Sequence, residues 1–593
     1  MSWPYRFLPN LTEEQKDHRR ILLDTYAFRA QLSVLVPLLL LQLYFLGSWT
    51  ARRQFRGGKD DVPSSPRGKE LRGSSARWLR DVESALTRAR WWGGEEVEIL
   101  GMKMGGRKGE VLGASVWMGW LLVLCIVQTG DDYFHLTKRF GIIAASQLPL
   151  QYLLALKTPY SPLQYLTRSS HETLNSSHQL LGRITTILLY LHAIFYLGAW
   201  ITIGNLASKI QEWYVLAGIF GIVAFTAVGT TALSPVRQWS YRIFYTTHVT
   251  LATALLPVLF FHVSHIRIYL YETAVVYAVN IILRSLASTT APASVRVLPS
   301  TNLLEIEVPQ PQGVAVRQMW APGQHAYVSL PGHPTLRTFR SNPFTVASIP
   351  AVDGNLLFVA RILDGNTAKL AKAANESKRQ HEITVEGPYG VITHAEKLLA
   401  YDRILFVAGG VGATFIVPLY RQLLADLSPS KGSHRRQRVK FLWSVKSKAE
   451  INWALPAEAR EREGFLERLI VFVTGCREAG NMTGTSGGFA LGEPADDAYG
   501  ETGEGVELEE QKNLLSSKAD EDGKTAPDGL TILAGRPNIN KTLDQTFSRC
   551  HGSERVAVVV CGPSGLTRGV RDEVGRWVGR GRDIWFWAES FGY

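Results

Sequence analysis

The chain has 593 residues, of which 46% are hydrophobic and 20% charged, a balance too apolar for a disordered chain and a length sufficient for several domains. Its 64 basic against 52 acidic residues leave a net charge of +12, yet the cations sit mostly beside apolar windows, which argues for a membrane surface and against nucleic acid as the partner. Its four cysteines, Cys125, Cys476, Cys550 and Cys561, fall in one apolar window and in the hydrophilic half, so no disulfide framework is expected and the soluble half belongs in a reducing compartment.

Residues 1–29 lead into a first apolar run that starts near Leu32 with no small-residue cleavage site after it, so it reads as a retained span and not a signal peptide. Seven windows suit a bilayer crossing: roughly 30–50, 112–130, 139–156, 181–203, 213–233, 243–263 and 270–287. Arg52, Arg53, Arg56 and Lys59 follow the first, and Lys103, Arg107 and Lys108 precede the second; by the positive-inside bias the 51–111 connection is cytoplasmic. Six further crossings then place everything after the seventh window in the cytoplasm. The N-terminus lies outside, with Asn10-Leu11-Thr12 either a glycosylation acceptor or a chance match to its pattern. Within the 51–111 connection, ARWLRDVESALTRARWW puts Trp78, Leu79, Val82 and Leu86 on one face and arginines opposite, the pattern of a helix lying on inner headgroups. From about 290, short β-rich runs alternate with helical patterns, interrupted at 478–528 by a Gly-, Glu- and Asp-rich stretch that reads as a disordered insertion.

Residues 178–192 read HQLLGRITTILLYLH and residues 248–262 read HVTLATALLPVLFFH, an imidazole at each end of both runs and fourteen residues apart. Fourteen residues of α-helix turn through about 1,400°, roughly 40° short of four turns, and rise about 21 Å, so the rings share a face at two depths. A lone intramembrane histidine is more often just hydrogen-bonded, but two pairs of matched spacing define two levels, His178 with His248 inside and His192 with His262 outside. Two imidazoles per level fill both axial positions of a haem iron and favour electron transfer over oxygen binding; zinc expects three or four ligands. His265 is an alternative to His262, and His135 and His171 read as solvated histidines. Arg183 and Arg242 suit either haem propionates or snorkelling, and Pro257 should bend its helix. Asp131, Asp132 and His135 are a candidate landing site for an external metal.

In the hydrophilic half, RTFRSNPFTVAS (337–348) places an aromatic and hydroxyls beside a proline turn, and RILDGNTAKL (361–370) has a glycine turn with Thr367 able to meet a phosphate. RILFVAGGVGAT (403–414) and VAVVVCGPSGL (556–566) are buried strands running into glycines, a design for cradling a pyrophosphate at the strand ends of a doubly wound α/β sheet. Arg477 and Arg536 could pair with a 2′-phosphate or simply be solvated.

Together the histidine pairs, NPFTVAS, EGPYG (386–390), AGGVGAT, CGPSG and the terminal FWAESFGY resemble the ferric reductases of fungi, within the flavocytochrome superfamily that also holds the NADPH oxidases. The likeness runs from about 112 to 593 apart from 478–528. It implies a bis-haem transmembrane α-helical domain at 30–288, an antiparallel β-barrel FAD domain at 289–398 and a doubly wound NADPH domain at 399–593, the last two forming a ferredoxin-reductase-like module. It also implies roles residue by residue. Asn342, Pro343, Phe344, Thr345 and Ser348 meet FAD, with Phe344 on the isoalloxazine and Thr345 hydrogen-bonded to it; Gly365 and Thr367 hold flavin phosphate. Gly387, Pro388, Gly390, Gly409, Gly410, Gly412 and Thr414 shape the NADPH site. Cys561, Gly562 and Pro563 sit near the nicotinamide, and Phe591 covers the flavin; Cys561, Phe591 and Thr345 are the residues expected at the chemistry. The family usually has histidine where Asn342 stands. The function so implied is electron transfer from cytoplasmic NADPH through FAD and two b-type haems to an external Fe(III)-chelate or Cu(II), in the plasma membrane or an organelle membrane, with handover to an iron-uptake system. The rivals are an NADPH oxidase, disfavoured by the extra leading span and the lack of an acidic EF-hand loop, and a proton-relaying transporter, which would leave the nucleotide motifs idle.

Overall fold

The computed structural model describes residues 5–8, 11–55, 74–99, 102–158, 161–309, 320–330, 341–363, 365–374, 380–390, 397–427, 438–455, 466–475, 530–548 and 554–589. Asn10, Arg477, Phe591 and the 478–528 stretch lie outside them.

The N-terminal segment is itself helical: α1 (Glu13–Leu32) opens with a capping box, in which Thr12 and Gln15 satisfy each other's backbone N–H, a device contributing about 1 kcal/mol. Its Leu23, Tyr26, Ala27 and Ala30 are buried, packed in one apolar cluster with residues of α4 (Lys108–Ile126) and α5 (Tyr133–Ser146). Between them come α2 (Leu35–Phe55) and α3 (Ser74–Gly93), and then the hairpin β1 (Glu96–Ile99) and β2 (Met102–Arg107) that leads directly into α4. α3 occupies the amphipathic stretch. The side chains of Trp78 and Leu79 lie outside the described residues.

Among the described residues six helical stretches are long and apolar enough to cross a membrane: Glu13–Thr50, Lys108–Ile126, His171–Ile203, Trp213–Thr231, Tyr241–His262 and Ser264–Leu286. The third expected window, 139–156, is built from two consecutive helices instead of one, which together run from the outer histidine level at Thr137 to the inner one at Gln151. α5 ends at Ser146 and α6 (Leu148–Leu154) restarts after Gln147 with Pro149 in its first turn, where a missing N–H costs nothing but would break a continuous ladder. The remaining spans are α7 (His171–Ile203), capped by Ser170 and ended by Gly204 at φ +79°, α8 (Trp213–Thr231), α9 (Tyr241–His262) and α10 (Arg267–Leu286). Pro257 lies inside α9, and the helix runs on through it.

After α10 come β3 (Ser288–Val297), β4 (Leu303–Pro309), β5 (His325–Ser329), β6 (Asn342–Thr345), β7 (Asn355–Arg361), α11 (Asn366–Ala374) and β8 (His381–Tyr389). The strands form an antiparallel sheet in the order β6-β5-β8-β3-β4-β7. A bridge from Val346 to Phe358 joins its two edges into a barrel. The last unit is a parallel sheet of β9 (Arg403–Gly409), β10 (Arg438–Val445), β11 (Leu469–Val473), β12 (Thr531–Ala534), β13 (Val556–Cys561) and β14 (Ile584–Glu589). Its order, β12-β11-β10-β9-β13-β14, reverses between β9 and β13. α12 (Ala413–Asp426) follows β9, while α13 (Ile539–Ser548) and α14 (Ser564–Gly579) pack on the other face. β9 and β13 are buried at every residue, as central parallel strands must be.

Candidate functional site

The two histidine levels are set by backbone carbonyls. His192 Nδ1 is 2.8 Å from the carbonyl oxygen of Thr137, His262 Nδ1 is 2.6 Å from that of Tyr214, and His178 Nδ1 is 3.0 Å from that of Gln151. Each carbonyl accepts the Nδ1 proton, which fixes the tautomer that turns the Nε2 lone pair away from that helix; at His178 that lone pair faces the Gln151 side-chain amide at 3.4 Å, the group an inner-level metal would displace. The carbonyls are reachable for local reasons. Gln151 is among the last four residues of α6, whose carbonyls lack a helical donor. Thr137 and Tyr214 are instead each followed four residues later by glycine: a Cβ on Gly141 would lie 2.7 Å from His192 Nδ1, and one on Gly218 would lie 2.6 Å from His262 Cε1. A side chain at either position would close the window through which the imidazole reaches the helix. Sequence reasoning missed both glycines; the signal was a glycine in a span facing another span's histidine.

At the inner level the rings of His178 and His248 are 6.0 Å apart, centre to centre. Two imidazole–metal bonds of about 2 Å plus two ring radii come to about that separation, and the Nδ1 of His248 is buried with no partner. Among the described residues no three His, Cys, Asp or Glu side chains cluster as a metal site. The donor set therefore fits bis-imidazole ligation of a haem. His265 is exposed on the turn after α9, and Arg183 and Arg242 are exposed. Two expectations need correction. His135 is not solvated: it is 4% exposed, with its Nε2 accepting from Arg139, a fully buried cation that also donates to the Leu124 carbonyl. His171 likewise has a buried Nδ1 without a partner. Asp132 is committed as well, to Arg19 at 3.0 Å and to the His135 backbone N–H as a helix cap.

In the barrel, Phe344 is half-buried on edge strand β6 and Thr345 is buried beside it. Asn342 Oδ1 accepts from Asn366 Nδ2 at 2.8 Å, which ties the NPFT strand to the DGNT turn. Gly365 holds φ +85° in that turn. The Thr367 hydroxyl exchanges hydrogen bonds with the backbone of Leu363, and the Ser348 hydroxyl bridges Asn355 and Leu357, so both shape the barrel's turns. At the end of β8, Gly387 and Gly390 have positive φ, with Pro388 buried between them.

The glycine turns after β9 and β13 meet at the point where the strand order reverses, where ligands bind in open α/β sheets. A Cβ on Gly562 would lie 3.0 Å from the Gly409 Cα, and one on Gly409 would lie 2.7 Å from Pro563 Cδ. The Thr414 hydroxyl bonds the Val411 carbonyl. Arg361, at the end of β7, brings its guanidinium within 3.6 Å of a Cβ built on Gly410, a phosphate-ready cation that the motifs did not single out. Arg536 is exposed just beyond β12. Cys561 is completely buried and packs in the sheet's main apolar cluster; burial and then Glu589 push its thiol pKa up, so it is a neutral thiol, and its turn offers backbone to a ligand. A Cβ on Gly412 would overlap the Cys561 carbonyl. Gly412→Ala is therefore expected to cost about 1–3 kcal/mol by overpacking, read as a lower melting temperature with a raised KM for nicotinamide nucleotide.

Barrel and bundle are joined at the inner end of the spans. Arg284 of α10 donates twice to Glu386 of β8, at 2.7 and 3.1 Å, and the Tyr389 hydroxyl donates to the same carboxylate at 2.7 Å. Burial and that carboxylate hold the Tyr389 phenol above its ordinary pKa. His325 stacks on Tyr389 and lies 3.2 Å from Glu172 in the first turn of α7, and Lys157 sits 4.7 Å from the Tyr327 ring centre.

Comparison with known proteins agrees domain by domain. Residues 140–259 match the ferric reductase like transmembrane component, 288–393 an FAD-binding domain and 401–575 the ferric reductase NAD binding domain. The probable metalloreductase AIM14 of Meyerozyma guilliermondii is 23% identical over 459 residues, 76% of this chain and 84% of that protein. The probable cell surface ferric reductase kap2 of Aspergillus oryzae is 27% identical over 349 residues, 54% and 44% of the two chains. Ferric reductase transmembrane component 1 of Schizosaccharomyces pombe is 24% identical over 362 residues, 53% and 60%. The matches to the latter two span less than two thirds of those proteins' length. With its spans, barrel and nucleotide sheet each matched in that order, the chain is an integral membrane protein that belongs to the fungal ferric/cupric reductases.

Proposed function

We propose that the protein is a metalloreductase carrying electrons from cytoplasmic NADPH, through FAD and two b-type haems, to an external ferric chelate or cupric ion in support of metal uptake, most naturally across the plasma membrane. The observation that carries the reading is the pair of histidine levels with three of four Nδ1 atoms held by span carbonyls, in one bundle whose inner end grips a flavin-type barrel. When bound, the flavin takes a hydride's two electrons and releases them singly, and each haem carries one.

The residues divide the work by position. The carbonyls of Gln151, Thr137 and Tyr214 orient the imidazoles, and Gly141 and Gly218 admit them. Backbone N–H groups of the Gly409–Gly412 and Gly562 turns, with Arg361, would receive pyrophosphate, and the exposed Arg536 would pair with a 2′-phosphate. Phe344 and Thr345 on β6 would hold the flavin ring, Phe344 by packing and Thr345 by a hydrogen bond. Outside, α1 and the 128–135 segment border an open hollow of ≈ 430 Å3 lined by His18, Arg19, Asp132 and His135 among others. Asp132 and His135 are engaged with protein partners, so neither is a free ligand for a metal there.

The test is anaerobic, with the full chain in nanodiscs and NADPH as donor. Wild type is expected to show haem reduction followed by consumption of Fe(III)-citrate. His192→Ala is expected to abolish chelate reduction while inner-level haem reduction persists. A preparation without a Soret band overturns the reading. Reduced haem that ignores iron and copper chelates but forms superoxide in air replaces it with the oxidase.

A further inference from the structure

We propose that the corner where α3 ends and the β1–β2 hairpin enters α4 is a clasp that mounts the nucleotide domain on the membrane bundle, with Trp91 as its positioning residue. The consequence for electron delivery rests on the function proposed above; the clasp itself rests on geometry.

The chain leaves α3 at Gly93, forms the β1–β2 hairpin and enters α4 at Lys108. This corner is fixed to the span: Lys108 N donates to the Glu95 carbonyl at 2.8 Å, and Lys108 Nζ is 2.7 Å from Glu95 Oε2. Gly93 and Gly109 pack so closely that a Cβ on Gly109 would lie 3.1 Å from the Gly93 carbonyl oxygen. From the corner Trp91 reaches into the other domain. Its ring meets Phe586 of β14 edge-on at 5.6 Å, and the Arg571 guanidinium lies 4.8 Å from its centre, a cation–π contact. Two glycines make room. A Cβ on Gly575 of α14 would lie 2.7 Å from Trp91 Nε1, and one on Gly94 would lie 2.6 Å from Arg571 Nη2. Trp91 thereby completes an apolar cluster with Val570, Val574, Val578 and Ile584, although its sequence neighbours read as a helix for the headgroups. α14 begins at Ser564, directly after the Gly562-Pro563 turn, so the clasp grips the helix that carries the nucleotide site.

The barrel is fixed separately, by Glu386 to Arg284 of α10. One mount is a hinge; two set the orientation of the module against the bundle. Electron transfer across a gap falls steeply with distance, so a loosened clasp slows delivery into the bundle while hydride transfer within the module continues.

Trp91→Ala and Gly575→Ala attack the contact from opposite sides. Alanine is the better helix former at an interior position, so Gly575→Ala spares α14 itself and only blocks the slot. In stopped flow with NADPH, both variants are expected to keep the wild-type rate of flavin reduction and to slow haem reduction roughly tenfold or more, the scale on which small misplacements cost rate. Hydrogen–deuterium exchange across 564–579 should rise in both. The double variant should fall no further than the slower single, because both remove one contact. Wild-type haem reduction in both singles, flavin reduction slowing in parallel, or additive losses in the double would each overturn the clasp. A wild-type haem that NADPH never reduces sinks the proposed electron path instead, and unchanged exchange in the variants then decides against the clasp on its own.

Discussion

Gly218→Ala is expected to halve the haem content of the protein, measured as pyridine haemochrome per chain, with Gly141→Ala acting in the same direction. In a helix interior glycine costs roughly 0.5–1 kcal/mol relative to alanine, so by backbone preference both changes should stabilise. The opposite is expected because the new methyl has nowhere to go: it would lie 2.6 Å from His262 Cε1 in one case and 2.7 Å from His192 Nδ1 in the other. Neither ring can yield without losing the carbonyl of Tyr214 or Thr137, and with it the tautomer that presents Nε2. Gly229→Ala is the control, since it lies in the same helix as Gly218 with nothing within 4 Å of a built Cβ; it should bind haem normally. The inner level uses a helix end in place of a glycine window, so the remaining haem should sit with His178 and His248. A Gly218→Ala protein with full haem content would show that the window is incidental.

What was legible in the sequence was what depends on local rules. Fourteen-residue spacing places His178 over His192 on any α-helix, and the glycines after β9 and β13 mark turns because the backbones there approach within contact distance. The parallel sheet followed from fully apolar strands. What was not legible depends on which elements meet. Glycine at 141 or 218 looks like an ordinary small residue of a span until another span's imidazole is set against it. Window 139–156 read as one crossing because hydropathy averages over Gln147 and Pro149. His135 reads as solvated because the partner that buries it, Arg139, carries a charge that composition assigns to water. Trp91 lies in a stretch whose helical period points to headgroups, and its partner is some five hundred residues along the chain.

Glu386→Gln is expected to separate flavin reduction from haem reduction more completely than any change in the nucleotide sites. Arg284 and Glu386 are 15% and 4% exposed and 102 residues apart in sequence, one on the last span and one on the barrel, so their ion pair is a weld between domains. Removing one charge from a buried pair costs about 3–5 kcal/mol, because the other is left uncompensated. Glutamine keeps the size and still accepts from Arg284 and Tyr389, yet it strands the guanidinium where the spans end. The barrel's own strands do not depend on the pair, so NADPH should bleach the flavin at the wild-type rate while haem reduction falls and the melting temperature of the junction drops. Replacing both partners by apolar residues of similar size, Arg284→Met with Glu386→Leu, removes the stranded charge and should recover much of the stability. It should recover little of the haem reduction, because the bidentate geometry that fixes barrel against span is gone. If the double variant regains both together, the pair serves stability alone and the alignment of barrel and bundle lies elsewhere in the junction, with His325 and Glu172 the next residues to change.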